Sequence, residues 1–185
     1  MLINLTLKIM NEIIKKNGIT CGIIIGLFTI LYTTAIYSID LALFTNAWIG
    51  VITMIIYITI GVVLVSKTKK QLNNNITFKE AFTVYFLAAV VGSTISTLFN
   101  ILLFNFIDPE AKEKIKELSI KYAVEVLEKL GSPDSAVNET IKKMGETDAY
   151  SASNLLMGLA FSFVFSAIFG LILAAIFKSK PSYNE

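Results

Sequence analysis

The sequence predicts an all-α membrane protein with four transmembrane helices and an extracytoplasmic helical hairpin between helices three and four. Three observations lead there. Four apolar stretches are each long enough to match a bilayer. The charged residues, 16% of the 185-residue chain, crowd into the segments around those stretches. The lysines concentrate on alternate connections, which gives the chain a direction across the membrane. Hydrophobic residues make up 55% of the chain, against roughly 45–50% in a soluble domain.

The apolar stretches cover about 19–39, 47–65, 82–106 and 155–177 of a single membrane domain, 1–185. A hydrocarbon core about 30 Å thick needs roughly 20 helical residues at about 1.5 Å each. Lipid offers the backbone no hydrogen-bond partners, and these stretches lack the alternation of a barrel strand, so they are expected to be helices. The first follows Lys8, Lys15 and Lys16, as a signal peptide would. Its apolar part is longer than a signal core, and bulky Tyr37 stands where a small residue should precede cleavage. A retained helix is expected.

Lys8, Lys15 and Lys16 precede the first span, Lys67, Lys69, Lys70 and Lys79 join the second to the third, and Lys178 and Lys180 follow the fourth. Only Glu12, Glu80 and Glu185 oppose them there. The connection after the first span has Asp40 and no lysine, and the long one from 108 to 153 has more acids than lysines. The positive-inside rule then places both termini in the cytoplasm. Trp48 and Tyr37 fall near the outer interface, where amphipathic rings collect.

Within 108–153, Asp108-Pro109-Glu110 supplies an N-cap, a proline at the first helical position and an acid in the first turn. Ile115, Leu118, Tyr122 and Val126 then recur at helical spacing until Gly131. Ser132-Pro133-Asp134 repeats the start signal, Val137, Ile141 and Met144 mark one face of a second helix, and Gly145 is its expected stop. Before the third span, Thr77-Phe78-Lys79-Glu80 fits a capping box.

Composition also narrows the chemistry. The net charge of +2 is too small to imply nucleic acid. All sixteen basic residues are lysine, so neither the forked donor of arginine nor the titratable imidazole of histidine is available. Cys21 is the only cysteine, which excludes an intrachain disulfide and any multi-cysteine metal site. It reads as a small packing residue, since no histidine exists to activate it. No catalytic residue, cofactor or metal ligand is expected.

Several segments resemble a known family. Ile76-Thr77-Phe78-Lys79-Glu80-Ala81-Phe82 resembles the opening of the third helix in the domain-of-unknown-function family number 4199. Asn105-Phe106-Ile107-Asp108-Pro109-Glu110 resembles the end of that helix, and Ala174-Ala175-Ile176-Phe177-Lys178-Ser179-Lys180 resembles its closing helix and lysine-rich tail. Lys16-Asn17-Gly18 also fits, so the resemblance runs from about Ile13 to Pro181. It implies a four-helix membrane protein of the Bacteroidetes type in a bacterial inner membrane. It implies no activity, substrate or catalytic residue.

Two sets of residues stand out as candidates. Gly158, Ser162, Ser166, Gly170 and Ala174 recur every four residues in the fourth span, as do Gly18, Gly22 and Gly26 in the first. Small residues on one helix face let backbones approach closely, either within one bundle or between copies in an oligomer. The third span carries Ser93, Thr94, Ser96, Thr97 and Asn100, with Asn105 near its end. These are either a polar cavity wall or interhelical and intrahelical hydrogen bonding. Asp40 and Glu80 are the acids nearest the hydrocarbon, and neither is mid-span, which disfavours a proton relay. Glu110, Glu113 and Glu117 alternate with Lys112, Lys114 and Lys116 in the pattern of a solvated helix surface.

The reading that follows is a non-enzymatic accessory, structural or assembly protein acting through helix–helix and loop contacts. Its partners would be membrane lipid and either further copies of itself or another membrane protein. The alternative is a subunit of an oligomeric channel or carrier for a small polar or amphipathic solute. A membrane enzyme has the least support.

Overall fold

A computed structural model describes residues 2–179, with side chains from residue 12 onward. Lys8, Lys180 and Glu185, which enter the charge argument, lie outside the described side chains, as does the Lys180-Pro181 end of the resemblance. Six α-helices follow in order: α1 (Leu2–Ile39), α2 (Ala47–Gln71), α3 (Phe78–Leu102), α4 (Pro109–Lys129), α5 (Asp134–Glu146) and α6 (Ala152–Phe177). A 3₁₀ turn, Leu41–Thr45, follows α1, and a π-helical turn, Leu103–Ile107, extends α3. No strand occurs among the described residues.

Four helical segments are long and apolar enough to cross a membrane: Glu12–Ile39, Ala47–Gln71, Phe78–Ile107 and Ala152–Phe177. The second runs past its apolar stretch through Lys67, Lys69 and Lys70. Continuing the helix keeps every amide paired, and lysine stems can lie along apolar surface while their ammonium groups reach water. Only 17–22% of each span's most apolar window is buried within the chain. Leu31 and Phe165 are about 70% exposed, an apolar surface that lipid can solvate and water cannot.

The chain divides into two compact units. The first comprises Met1–Thr29, Thr53–Ser96 and Leu159–Glu185. Its core is built from Ile14, Leu64, Val65, Ile76, Val84 and Leu173, with small Ala81, Ala88 and Ala174 between them. The closest approach is between α1 and α3. A Cβ on Gly22 would stand 2.7 Å from the Val91 Cβ and 2.8 Å from the Ala88 carbonyl oxygen, and one on Gly92 would meet Ile25 at 2.8 Å. The glycines of each helix therefore receive the backbone and branched side chains of the other.

The α2–α3 connection is anchored within this unit. Asn73 and Asn74 turn it with φ of 54° and 60°, a left-handed conformation that asparagine tolerates better than most residues. Ser179 donates its amide to the Ile76 carbonyl at 2.8 Å and accepts the Ile76 amide on its hydroxyl at 3.0 Å. Lys69 donates to the Phe177 carbonyl at 2.9 Å, which places a cation on the open carbonyl end of α6. The capping box forms as the sequence predicts: Thr77 donates its amide to Glu80 at 2.8 Å and accepts the Glu80 amide at 3.3 Å.

The second unit comprises Ile30–Ile52 and Thr97–Gly158. Its core joins Leu103, Phe104, Ala111 and Ile115, flanked by Tyr37, Phe44, Phe99 and Tyr150. Helix α4 thus lays its first two turns on the 3₁₀ and π turns that end the neighbouring spans. It ends in a Schellman turn: Gly131 has φ of 69°, its amide reaches Glu128 and the Ser132 amide reaches Leu127. That closure corrects the expected start of α5. Ser132 is tied to the end of α4, so Pro133 takes the N-cap position without a side-chain cap. Gly145 is likewise not the stop. It lies inside α5, which ends where extended Thr147 donates its amide to Met144.

Gly22→Leu is expected to destabilise the fold by about 1–3 kcal/mol through overpacking, while Gly158→Ala, with nothing within 4 Å of the added atom, stays within about 0.5 kcal/mol. Unfolding in detergent, followed by circular dichroism, measures both.

Candidate functional site

The small residues of the spans separate by location. Gly18, Gly22 and Gly26 are buried against Leu87, Val91 and Ile95 of α3. Gly170 faces Phe82 and Tyr85, and Ala174 is fully buried. Ser162 is half-buried and donates to the Leu159 carbonyl at 2.7 Å, Ser166 is half-buried, and Gly158 faces open space. Pattern reading missed Gly61, whose Cβ would meet Tyr85 at 2.7 Å, because α2 holds no second small residue at a four-residue interval to mark it.

Ser93 donates to the Ala89 carbonyl and Thr94 to the Val90 carbonyl, each at 2.7 Å. Ser96, Thr97 and Asn100 are half-buried. In the first unit Tyr57 and Thr29 hydroxyls lie 2.6 Å apart, and since Thr29 donates to Ile25, Tyr57 is the donor between them. Asn17 donates to Thr68 at 3.0 Å and to Gln71 at 2.6 Å. Each is a polar group paired across or along helices, as a low-dielectric setting requires.

The densest polar chemistry is in the second unit, where α4 meets the ends of the spans. Tyr37, near the end of α1, donates to Asp108 at 2.7 Å, and the same carboxylate caps α4 by accepting the Ala111 amide at 3.1 Å. The Tyr37 hydroxyl, followed by the backbone amides, holds Asp108 below the ordinary 3.8. Asn105 donates to the Tyr150 carbonyl at 2.9 Å, and Asn154 to the Asp148 carbonyl at 2.7 Å. Tyr150 packs its ring 4.6 Å from Phe104, and burial pushes its phenol up. Lys112 pairs with Asp148 at 2.8 Å.

Beside that ion pair a cleft of about 240 Å³ opens between α4 and α5. Lys112, Lys116 and Ser119 line it from α4, Lys143 and Met144 from α5, and Thr147 to Tyr150 close its end. Residues 112, 116 and 119 share one face of α4 by their spacing. The lysine–glutamate alternation was read from the sequence as a solvated surface, and Glu110, Glu113 and Glu117 are indeed exposed. Lys114 is exposed as well, whereas Lys112 and Lys116 turn toward the cleft, with side chains only 18% and 26% exposed. No group of acids, cysteine or histidine among the described residues is arranged to hold a metal.

Residues 20–179 match the model of a family described as Protein of unknown function (DUF4199). The chain belongs to that family. The match takes in most of the first span, the other three spans and both helices of the hairpin, and begins just after Lys16-Asn17-Gly18. Neither the curated proteins nor the solved structures contain a match to this DUF4199 chain.

The Asp108 link gives a pH dependence of defined sign. A carboxyl depressed by folding stabilises the fold above its unfolded value and loses that contribution as pH falls through the lower folded value. Hydrogen exchange at the first turn of α4 is therefore expected to accelerate only below about pH 3.8. In Tyr37→Phe the acceleration is smaller and is complete at a higher pH, because the folded value then lies closer to the unfolded one.

Proposed function

We propose that this DUF4199 protein is a non-enzymatic accessory, structural or assembly protein of a bacterial cytoplasmic membrane, acting through helix and loop contacts. In this reading the termini and the α2–α3 connection are cytoplasmic and the α4–α5 hairpin is extracytoplasmic. The observation that carries it is the way the hairpin is held. Tyr37–Asp108, Asn105–Tyr150 and the Phe104–Tyr150 ring contact tie its base to the span ends. Tyr122, Leu130 and Ile141 remain exposed on it. A braced platform with apolar side chains on its surface is suited to receiving a partner with little ordering cost.

The channel or carrier alternative draws less support. Of Ser93, Ser96 and Asn100, which it would use, Ser93 spends its donor on its own helix carbonyl. An oligomer seam draws support at Gly158, which faces open space, but not at Gly170, which already has Phe82 and Tyr85 against it.

Two measurements test the proposal. In a Cys21→Ala background, a membrane-impermeant maleimide is expected to label Ser135→Cys in intact spheroplasts and Asn75→Cys only after permeabilisation. The reverse pattern overturns the orientation. A photo-crosslinking residue at Ile141 is expected to give one discrete adduct, with another membrane protein or a second copy. A probe at Ile141 that captures nothing, combined with measurable solute flux in vesicles that Asn100→Leu abolishes, moves the reading to the carrier.

A further inference from the structure

We propose that the cleft between α4 and α5 holds the phosphate of an anionic phospholipid headgroup. The inference goes beyond the accessory role and does not depend on it. Its first support is charge. Lys112, Lys116 and Lys143 line the cleft against the single carboxylate of Asp148. Asp148 is taken by Lys112 at 2.8 Å, whereas the nearest carboxylate to Lys116 is Glu113 at 3.9 Å. Lys116 thus brings a 26%-exposed side chain to the cleft with its ammonium donors largely uncommitted. Lys143 contacts Glu139 at 2.7 Å one helical turn away on α5, their side chains 73% and 65% exposed, and such a surface pair is weak enough to be exchanged.

The lining selects among anions. Ser119 and Thr147 donate to their own helix carbonyls, which leaves the lysines as the donors for a bound anion. Lysine ammonium groups are point-charge donors able to hold a phosphate. Met144, Ala149 and Tyr150 supply apolar wall, which fits a glycerol phosphodiester better than a fully hydrated inorganic ion.

Position completes the argument. The third span ends at Ile107 and α4 starts at Pro109, while the fourth span starts at Ala152, two residues after Tyr150. Both chain ends of the cleft therefore leave the hydrocarbon within a few residues. Lys112 is one helical turn from that boundary, about 6 Å along the helix, and the headgroup layer is about 5–8 Å deep on each side.

The test uses the full chain in nanodiscs of phosphatidylethanolamine and phosphatidylglycerol, with retained lipid counted by native mass spectrometry after detergent release. Wild type is expected to keep phosphatidylglycerol selectively. Lys116→Gln with Lys143→Gln should weaken retention by roughly fivefold per lysine, and the arginine pair should preserve it. Lys143→Glu alone, on an exposed side chain that folding does not need, should also lower retention. Equal retention in wild type and all these variants overturns the proposal. So does inorganic phosphate shifting the Lys116 and Lys143 amine resonances in lipid-free micelles while phosphatidylglycerol does not, which assigns the cleft to a soluble anion.

Discussion

The architecture of the first unit depends on how closely the backbones of α1 and α3 approach. In lipid, apolar side chains gain little by leaving one apolar medium for another, so helix association rests on van der Waals contact and hydrogen bonds. Gly18, Gly22 and Gly26 remove the atoms that would keep the helices apart, and Val91 and Ile95 fill the space. With that distance set, Thr68 and Gln71 of α2 come within reach of Asn17 on α1, and Tyr57 of α2 comes within reach of Thr29. The polar contacts then add direction to an association that dispersion alone would leave free to slide.

The second unit solves a different problem. Where a span ends, its last carbonyls and the first amides of the next helix need partners before water is available to all of them. Asp40 caps the 3₁₀ turn after α1. The π turn after α3 is closed by the Asp108 amide on the Leu103 carbonyl at 2.8 Å, and the Asp108 side chain starts α4. One aspartate thus ends one helix, starts another and receives a tyrosine from a third. The aromatic cluster of Phe44, Phe104 and Tyr150 fills the space beneath. Because α4 is held at its base, its lysine face keeps a fixed relation to α5, and the cleft between them is a feature of the fold.

The two units also differ in what they leave open. The first buries Gly18, Gly22, Gly26, Gly170 and Ala174 within itself, and its spans expose apolar side chains that lipid can solvate. The second exposes Tyr122, Leu130 and Ile141 on the hairpin and gathers lysine charge along one side of it.

The sequence alone determined the number of the apolar helices, the capping box at Thr77, the Asp108 start of α4 and the Gly131 end of it. These are local: each depends on hydropathy over a window or on residues three or four apart. It also marked the glycine rows, because their spacing is visible, but not their partner, because any facing helix satisfies the same spacing. Tertiary structure decided that the row of α1 receives α3, that Gly61 belongs to the same close packing, and that Ser132 closes α4 and does not open α5. It also decided that Lys112 and Lys116 leave the solvated pattern of their neighbours to face a cleft. Lys112 and Asp148 stand 36 positions apart in the chain, with no periodic signal that joins them. Their meeting depends on the angle at which α5 returns along α4, and that angle is set by packing at the hairpin's base.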